Sequence, residues 1–332
     1  MELQWHIVRL HLKETFSISY GQYEYRDALI VQLTHAGETG YGECTALAYY
    51  GIDLKHFEQL LLQHQKAISN FGLHSPSEFY ALLTQWQWPN FLKSALDCAY
   101  WDLIGKLEKR SFLDWNAIPT HHIPHSSWTI SVDTVPVQIA KMKASHWPTF
   151  KVKCHGFQRE QLAQLLATDF SFALDTNASW TPEDCMQWIQ MSGRHRVRYV
   201  EQPMATGIAN YQHLSKADGV LWMADEEAQN ETDLVLLANH YPAVNVKVMK
   251  CGGLTPALAM IKAAKAMDFK VMIGCMTEST IGISAGAVLA PLCDYADLDG
   301  SNLIAEDIAT GTSINTGVIE LSTDPGLGIR WK

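Results

Sequence analysis

The sequence predicts an α/β protein, a (β/α)₈ barrel preceded by an α+β capping domain. Residues 1–120 read as a strand meander followed by helices, which is the pattern of a separate α+β unit. From about residue 125 short apolar strands alternate with amphipathic helices, and eight such strands are enough to close a barrel without an edge. The ends of these strands carry charged residues that a buried core would not select, and in a barrel those ends converge on one mouth. At 332 residues, with 47% hydrophobic and 18% charged content, the chain can bury a core of that size. The expected division is a capping domain at 1–120, a barrel at 121–303, and an irregular segment at 304–332 that packs back on the cap.

The meander consists of Trp5 to His11, Ala28 to Leu33 and Gly40 to Glu43, with a polar turn at His35-Ala36-Gly37-Glu38. Apolar residues then recur at helical spacing through Leu54 to Ile68, Glu78 to Trp86 and Phe91 to Leu107. Asp53 and Ser75 are N-cap residues in type and place, and Pro76 suits a first helical position. The barrel strands are read as Trp128 to Val132, Thr149 to Cys154, Phe172 to Thr176, Val197 to Glu201, Val220 to Ala224, Ala243 to Val248, Lys270 to Gly274 and Tyr295 to Leu298. An open doubly wound sheet is the competing arrangement, but no G-x-G-x-x-G follows a first strand.

The net charge of −10 argues against a nucleic-acid backbone or an anionic membrane as partner, since both need clustered Lys and Arg. Met1 to Leu10 has no basic stretch leading into an apolar run, and nowhere do about 18 apolar residues run together. A cytoplasmic protein is the expectation. The seven cysteines are odd in number and lack C-x-x-C spacing, so they point to neither a disulfide framework nor a zinc site.

Chemistry concentrates at the strand ends. Lys151 and Lys153 lie two residues apart on one strand and so face the same way. Two neighbouring ammonium groups disfavour each other's charge, which is expected to pull one lysine below its ordinary pKa of about 10.4 and make it a base. Asp175, Glu201 and Asp225 end the next three strands, and Lys247 stands on the sixth. Three hard oxygen donors suit Mg²⁺, and the absence of His and Cys among them argues against zinc. Lys153 and Lys247 would lie on opposite sides of the ion, so that one removes a proton from a carbon acid and the other returns it on the far face. The resulting enediolate needs positive charge where its own charge develops, from the metal and from Lys151.

These motifs resemble the enolase superfamily, specifically its muconate-lactonizing subgroup: K-x-K, D-x-N at Asp175, E-Q-P at Glu201, D-E at Asp225 and a lysine on strand six. A lysine base working with Mg²⁺ is the known strategy of that superfamily and not a deduction from these residues. The segments Asn245 to Leu254 and Gly274 to Ser279 are similar to those of dipeptide epimerases, as is the D-x-D of Asp297 and Asp299. By that resemblance Asp297 and Asp299 bind the α-ammonium of a dipeptide, and Thr129, Cys275, Met276 and Thr277 line the substrate. Two carboxylates facing one way are themselves an ammonium receptor. The implied function is inversion of the C-terminal residue's α-carbon in L-Ala-D/L-Glu. The chain departs from members acting on Ala-Glu, which can carry an arginine in the cap loop, because here none precedes Arg26. Tyr20, Tyr23, Tyr25, Tyr49 and Tyr50 are the residues expected to line that part of the pocket instead.

An o-succinylbenzoate synthase-type lyase would use the same lysines and metal, yet it has no ammonium to place against Asp297 and Asp299; muconate cycloisomerisation fails on the same ground. A non-catalytic metal-stabilised binder would keep the carboxylates and gain nothing from opposed lysines. Homo-oligomerisation, the preferred side chain, and the enantiomer served by each lysine stay open at this level.

Overall fold

The computed structural model describes all 332 residues, Met1–Lys332. Its first sheet is antiparallel and formed by β1 (Glu2–Ile18), β2 (Gly21–His35) and β3 (Glu38–Thr45). The hairpin from β2 to β3 closes with Ala36 at φ 48° and Gly37 at φ 86°. Two consecutive left-handed residues give the turn whose twist matches that of paired strands.

Helices α1 (Leu54–Asn70) and α3 (Asn90–Glu108) pack on this sheet, α2 (Pro76–Gln85) packs against α3, and a short α4 (Phe112–Trp115) follows. Asp53 caps α1 by accepting from the Lys55 and His56 backbone, and Ser75 with Glu78 forms a reciprocal capping box before Pro76. Helix α3 is buried on nearly every side from Phe91 to Gly105 and forms the spine of the cap. Its two buried aspartates reach outward to other parts of the chain. Asp97 accepts from the Thr255 backbone and hydroxyl, both at 2.8 Å, and Asp102 accepts from the Leu327 backbone and from Lys106.

The second sheet has eight parallel strands: β4 (Trp128–Ile130), β5 (Phe150–Lys153), β6 (Phe172–Asp175), β7 (Val197–Glu201), β8 (Trp222–Ala224), β9 (Ala243–Lys247), β10 (Lys270–Gly274) and β11 (Tyr295–Asp297). They pair in chain order. A bridge between Ser126 and Ala296 joins the two ends, so the barrel closes. The intervening helices are α5 (Val135–Ala144), α6 (Arg159–Leu166), α7 (Pro182–Ile189), α8 (Ile208–Tyr211), α9 (Asp233–Leu237), α10 (Val248–Cys251), α11 (Leu254–Ala266) and α12 (Thr280–Ala287). Ala173, Tyr199, Met223, Ala243 and Met272 cluster in an apolar group contributed by successive strands β6 to β10. They fill the barrel as side-chain layers do, making it a packed core rather than a pore.

The last residues form small antiparallel pairs, β12 (Ala309–Thr310) with β15 (Arg330–Trp331) and β13 (Ser313–Asn315) with β14 (Val318–Glu320). They touch both neighbours. Trp331 stacks on Tyr41 of the cap, while the Thr312 backbone donates to Ser284 of the barrel. The apolar core of the cap takes in Met249 of α10 and Met276 of the loop after β10, which ties it to the mouth that it covers. No helix is long and apolar enough to cross a membrane.

Candidate active site

Parallel register sets the charged strand ends level with one another. Lys153 pairs with Asp175 and Asp175 with Glu201 on one side, while Lys247, Gly274 and Asp297 align on the other. The backbone then leaves the strands through left-handed residues, Asn177 at φ 43°, Ala178 at φ 62° and Gln202 at φ 35°. Such conformations are unfavourable for residues with a Cβ and persist only where the surroundings hold them. At Gln202 the hold is visible. Its side chain accepts from the Asp225 backbone at 2.9 Å and donates to the Met204 carbonyl at 2.8 Å.

Ten of the predicted residues line one cavity under the cap: Thr129, Lys151, Lys153, Asp225, Lys247, Cys275, Met276, Thr277, Asp297 and Asp299. Asp175 and Glu201 lie just beneath, both buried. Lys153 Nζ donates to Asp175 Oδ2 at 2.5 Å, and Lys247 Nζ to Asp225 Oδ2 at 2.7 Å. Lys151 Nζ donates to Asp297 Oδ2 and stands 3.4 Å from Asp175 and 3.6 Å from Glu201.

Burial pushes the Lys151 pKa down, but Asp297, Glu201 and Asp175 outweigh it and hold the group above its ordinary value. The depression expected from the K-x-K pair therefore does not govern Lys151, because carboxylates surround it. Lys247 is likewise held high, since Asp225 and Glu201 outweigh burial. Asp175 lies below its usual value because Lys153 and Lys151 overcome burial. Glu201 is pushed up to about 8, first by burial and then by Asp175.

No three His, Cys, Asp or Glu side chains converge here into a ready-made metal cage; the carboxylates of Asp175 and Asp225 are each met by an ammonium group. Whether the residues suit an ion is decided by Glu201. Its Oε2 is buried and has no hydrogen-bond partner, while its Oε1 accepts from Asn245 at 2.7 Å. A buried carboxylate oxygen lacking a donor is costly, and a cation satisfies it. With Asp175 and Asp225 on the adjacent strands, the donor set is all oxygen and fits a hard divalent ion.

Asp297 and Asp299 both face the cavity. Asp297 accepts from Ser127 Oγ at 2.6 Å, and Asp299 from the Thr129 backbone at 2.6 Å and hydroxyl at 3.1 Å. Burial and the neighbouring Asp297 push Asp299 up to about 7. Two adjacent acids favour a cationic guest.

The tyrosines divide. Only Tyr49 lines the cavity among the five named from the sequence. Tyr20 latches the cap to the barrel by donating to Glu226 at 3.0 Å, Tyr50 packs on Phe91, and Tyr23 lies under Arg26. Tyr25 is 42% exposed and sits against Arg9, because its position on β2 turns it to the outer face.

Four further residues belong to the site or its support. Lys250, fully buried, donates to Asp225 Oδ1 at 2.5 Å, so two lysines grip one carboxylate. Asn245 holds Glu201 and fits only because Gly274 is glycine: a Cβ there would meet the Asn245 amide oxygen at 2.4 Å. Glu43 of the cap accepts from the Ser279 backbone, the Ser279 hydroxyl at 2.5 Å and the Gly282 backbone, pinning the start of α12. Glu278 accepts from the Met276 backbone at 2.8 Å and so shapes the loop that lines the cavity. The repeated lysine in Lys247-Val248-Met249-Lys250 was the available signal for the first of these.

Residues 135–332 match the family model described as enolase C-terminal domain-like. The chain is 36% identical over 324 residues to an L-Ala-D/L-amino acid epimerase of Maribacter sp., with 96% of each chain covered. It is 28% identical to an L-Ala-D/L-Glu epimerase of Bacteroides thetaiotaomicron, over 99% of this chain and 88% of that one. Among solved structures, a dipeptide epimerase from Enterococcus faecalis complexed with Mg and L-Leu-L-Tyr superposes with a TM-score of 0.88 at 26% identity, covering 99% of this chain and 98% of the other.

Proposed function

This chain belongs to the enolase superfamily, and from that premise we propose that it is a Mg²⁺-dependent dipeptide epimerase acting on L-alanyl dipeptides. The observation that carries the reading is the placement of Lys153 and Lys247. They end the second and sixth of eight strands and enter one cavity, with Asp175, Glu201 and Asp225 on the strands between. Strands four apart in an eight-stranded ring stand opposite each other.

A dipeptide's C-terminal carboxylate lies toward Lys151, and its α-carbon lies between the two amines. One lysine, in its neutral form, takes the α-proton as the C–H bond breaks and an N–H bond forms. The other, protonated, delivers a proton to the opposite face, so the configuration inverts and the proton count is unchanged. Lys151 places a third positive group beside the carboxylate that gains charge. Asp175, Glu201 and Asp225 would hold Mg²⁺, which when bound supplies charge to stabilise the ionised carboxylate. Asp297 and Asp299 receive the dipeptide's α-ammonium, a group that a β-eliminating lyase substrate would lack.

Incubation with a dipeptide library in D₂O and Mg²⁺ tests the assignment. L-Ala-D/L-Glu should exchange its C-terminal α-proton for deuterium and interconvert its diastereomers. Dehydration of a hydroxy acid without deuterium uptake by any dipeptide would assign the site to the lyase class.

A further inference from the structure

We infer that Gln138 is a positioning residue for Lys153 and for that lysine alone, so that it governs one of the two proton transfers and spares the other. The inference rests on the two-lysine reading. Backbone rungs between parallel strands are evenly spaced and recur every second residue. The Trp128 backbone donates to the Thr149 carbonyl at 3.0 Å, and the register then sets Ile130 level with Val152. On that repeat the donor for the Lys153 carbonyl would be the Val132 N–H. It is engaged elsewhere, because β4 ends at Ile130 and Val132 donates to the Ser17 carbonyl of the cap at 2.9 Å.

Gln138 of α5 supplies the missing rung. The residue is 3% exposed, and its Nε2 donates to the Lys153 carbonyl at 2.9 Å and to the Ser131 carbonyl at 3.0 Å. Both partners are acceptors, so only the amide nitrogen, with its two hydrogens, can serve them. One side chain thus ties the end of β4 to the end of β5. Little else steadies Lys153 from behind. A cavity of about 170 Å³, lined by Val132, Gln138, Cys154, Leu162 and Leu165 among others, adjoins it, and α6 begins only at Arg159. Lys247 is held differently. It is the N-cap of α10, so its carbonyl accepts the first hydrogen bond of the helix that follows directly.

Without the Gln138 amide the Lys153 peptide is free to shift, and a misplacement of about 1 Å at a reacting group can cost about a hundredfold in rate. Lys247, across the ring, keeps its place. The two directions of epimerisation must slow together, because the equilibrium between the diastereomers is a property of the substrates alone. Exchange without inversion has no such constraint. A lysine that takes the α-proton as the C–H bond breaks holds it among deuterons drawn from D₂O, and returning one of these to the same face forms a C–D bond with the configuration kept. That event needs one lysine only.

Initial rates of epimerisation and of α-deuteration without inversion, measured with L-Ala-L-Glu and L-Ala-D-Glu in D₂O and Mg²⁺, test this. Lys153→Ala and Lys247→Ala should each exchange a single diastereomer, which shows the one that each remaining lysine serves. Gln138→Met should slow epimerisation at least about tenfold in both directions, lower exchange of the diastereomer served by Lys153 equally, and leave the other within about twofold of wild type. Gln138→Glu keeps the length and offers at most one proton to two carbonyls, so it should show the same one-sided loss and stands in should the methionine variant not fold. Loss shared equally by both diastereomers, or no loss, would overturn the inference while leaving the two-lysine reading in place. A wild type that neither exchanges nor epimerises would overturn both.

Discussion

Asp225 is gripped by Lys247 from the cavity side and by Lys250 from beneath, and these two contacts have different consequences. Lys247 reaches the cavity and is assigned to proton transfer, whereas Lys250 is fully buried and holds the carboxylate in place. Lys250→Met would leave the lower oxygen of Asp225 without its ammonium, and breaking a buried pair in this way costs about 3 kcal/mol. A urea unfolding midpoint that falls accordingly would support the supporting role, and an unchanged midpoint would contradict it. Sequence reasoning found Lys247 because strand ends attract attention. Lys250 stands in the epimerase-like segment but takes no role from the sequence, because a turn of α10 carries it back under the strand and only the folded chain shows where it points.

At the scale of elements, the cap and barrel meet through buried carboxyls. Glu43 of β3 lies 236 residues from its partner Ser279. Burial pushes Glu43 up to about 7, and burial together with Glu43 pushes Glu278 up to about 8. Both folded values exceed the ordinary carboxylate value, so the folded state binds protons more tightly than the unfolded chain. Their contribution to stability is complete below about pH 4 and is lost as pH rises through about 7 to 8. Stability should therefore decline from pH 5 to pH 9, by at most about 1.4 kcal/mol per pH unit for each group. Glu278→Gln should flatten that decline, as read from urea midpoints across the range. An identical slope in the variant would show that folding does not raise the Glu278 pKa. The helix starts were legible because helical spacing and the caps at Asp53 and Ser75 are local signals, whereas β1 (Glu2–Ile18) and β2 (Gly21–His35) run well beyond the Trp5 to His11 and Ala28 to Leu33 that alternation marked. The Glu43 contact was not legible, since nothing near Glu43 in the chain marks its distant partner.

For the whole molecule, the closed order of eight parallel strands turns a spacing of one strand plus one helix into a ring of chemistry. That is why Lys153, Asp175, Glu201, Asp225 and Lys247 could be read from the sequence as a set. The pairing of Asp175 and Asp225 with lysines was not legible, because sequence gives the face on which a side chain lies and not the oxygen it contacts. If the three acids bind Mg²⁺, the ion should stabilise the folded protein by about 2.7 kcal/mol at a hundredfold excess over its Kd. Thermal unfolding with added Mg²⁺ or with a chelator reads this without turnover, and a triple exchange of the acids for their amides should abolish the response. An equal response in that variant would place the ion elsewhere.

The central claim is that two amines act from opposite faces of one α-carbon. Its most direct test is to incubate wild type, Lys153→Ala and Lys247→Ala with L-Ala-L-Glu and with L-Ala-D-Glu in D₂O containing Mg²⁺, measuring both α-deuterium and diastereomer ratio. The wild type should interconvert the diastereomers with deuterium incorporation, and neither folded variant should epimerise. Full epimerisation by either variant would contradict the account.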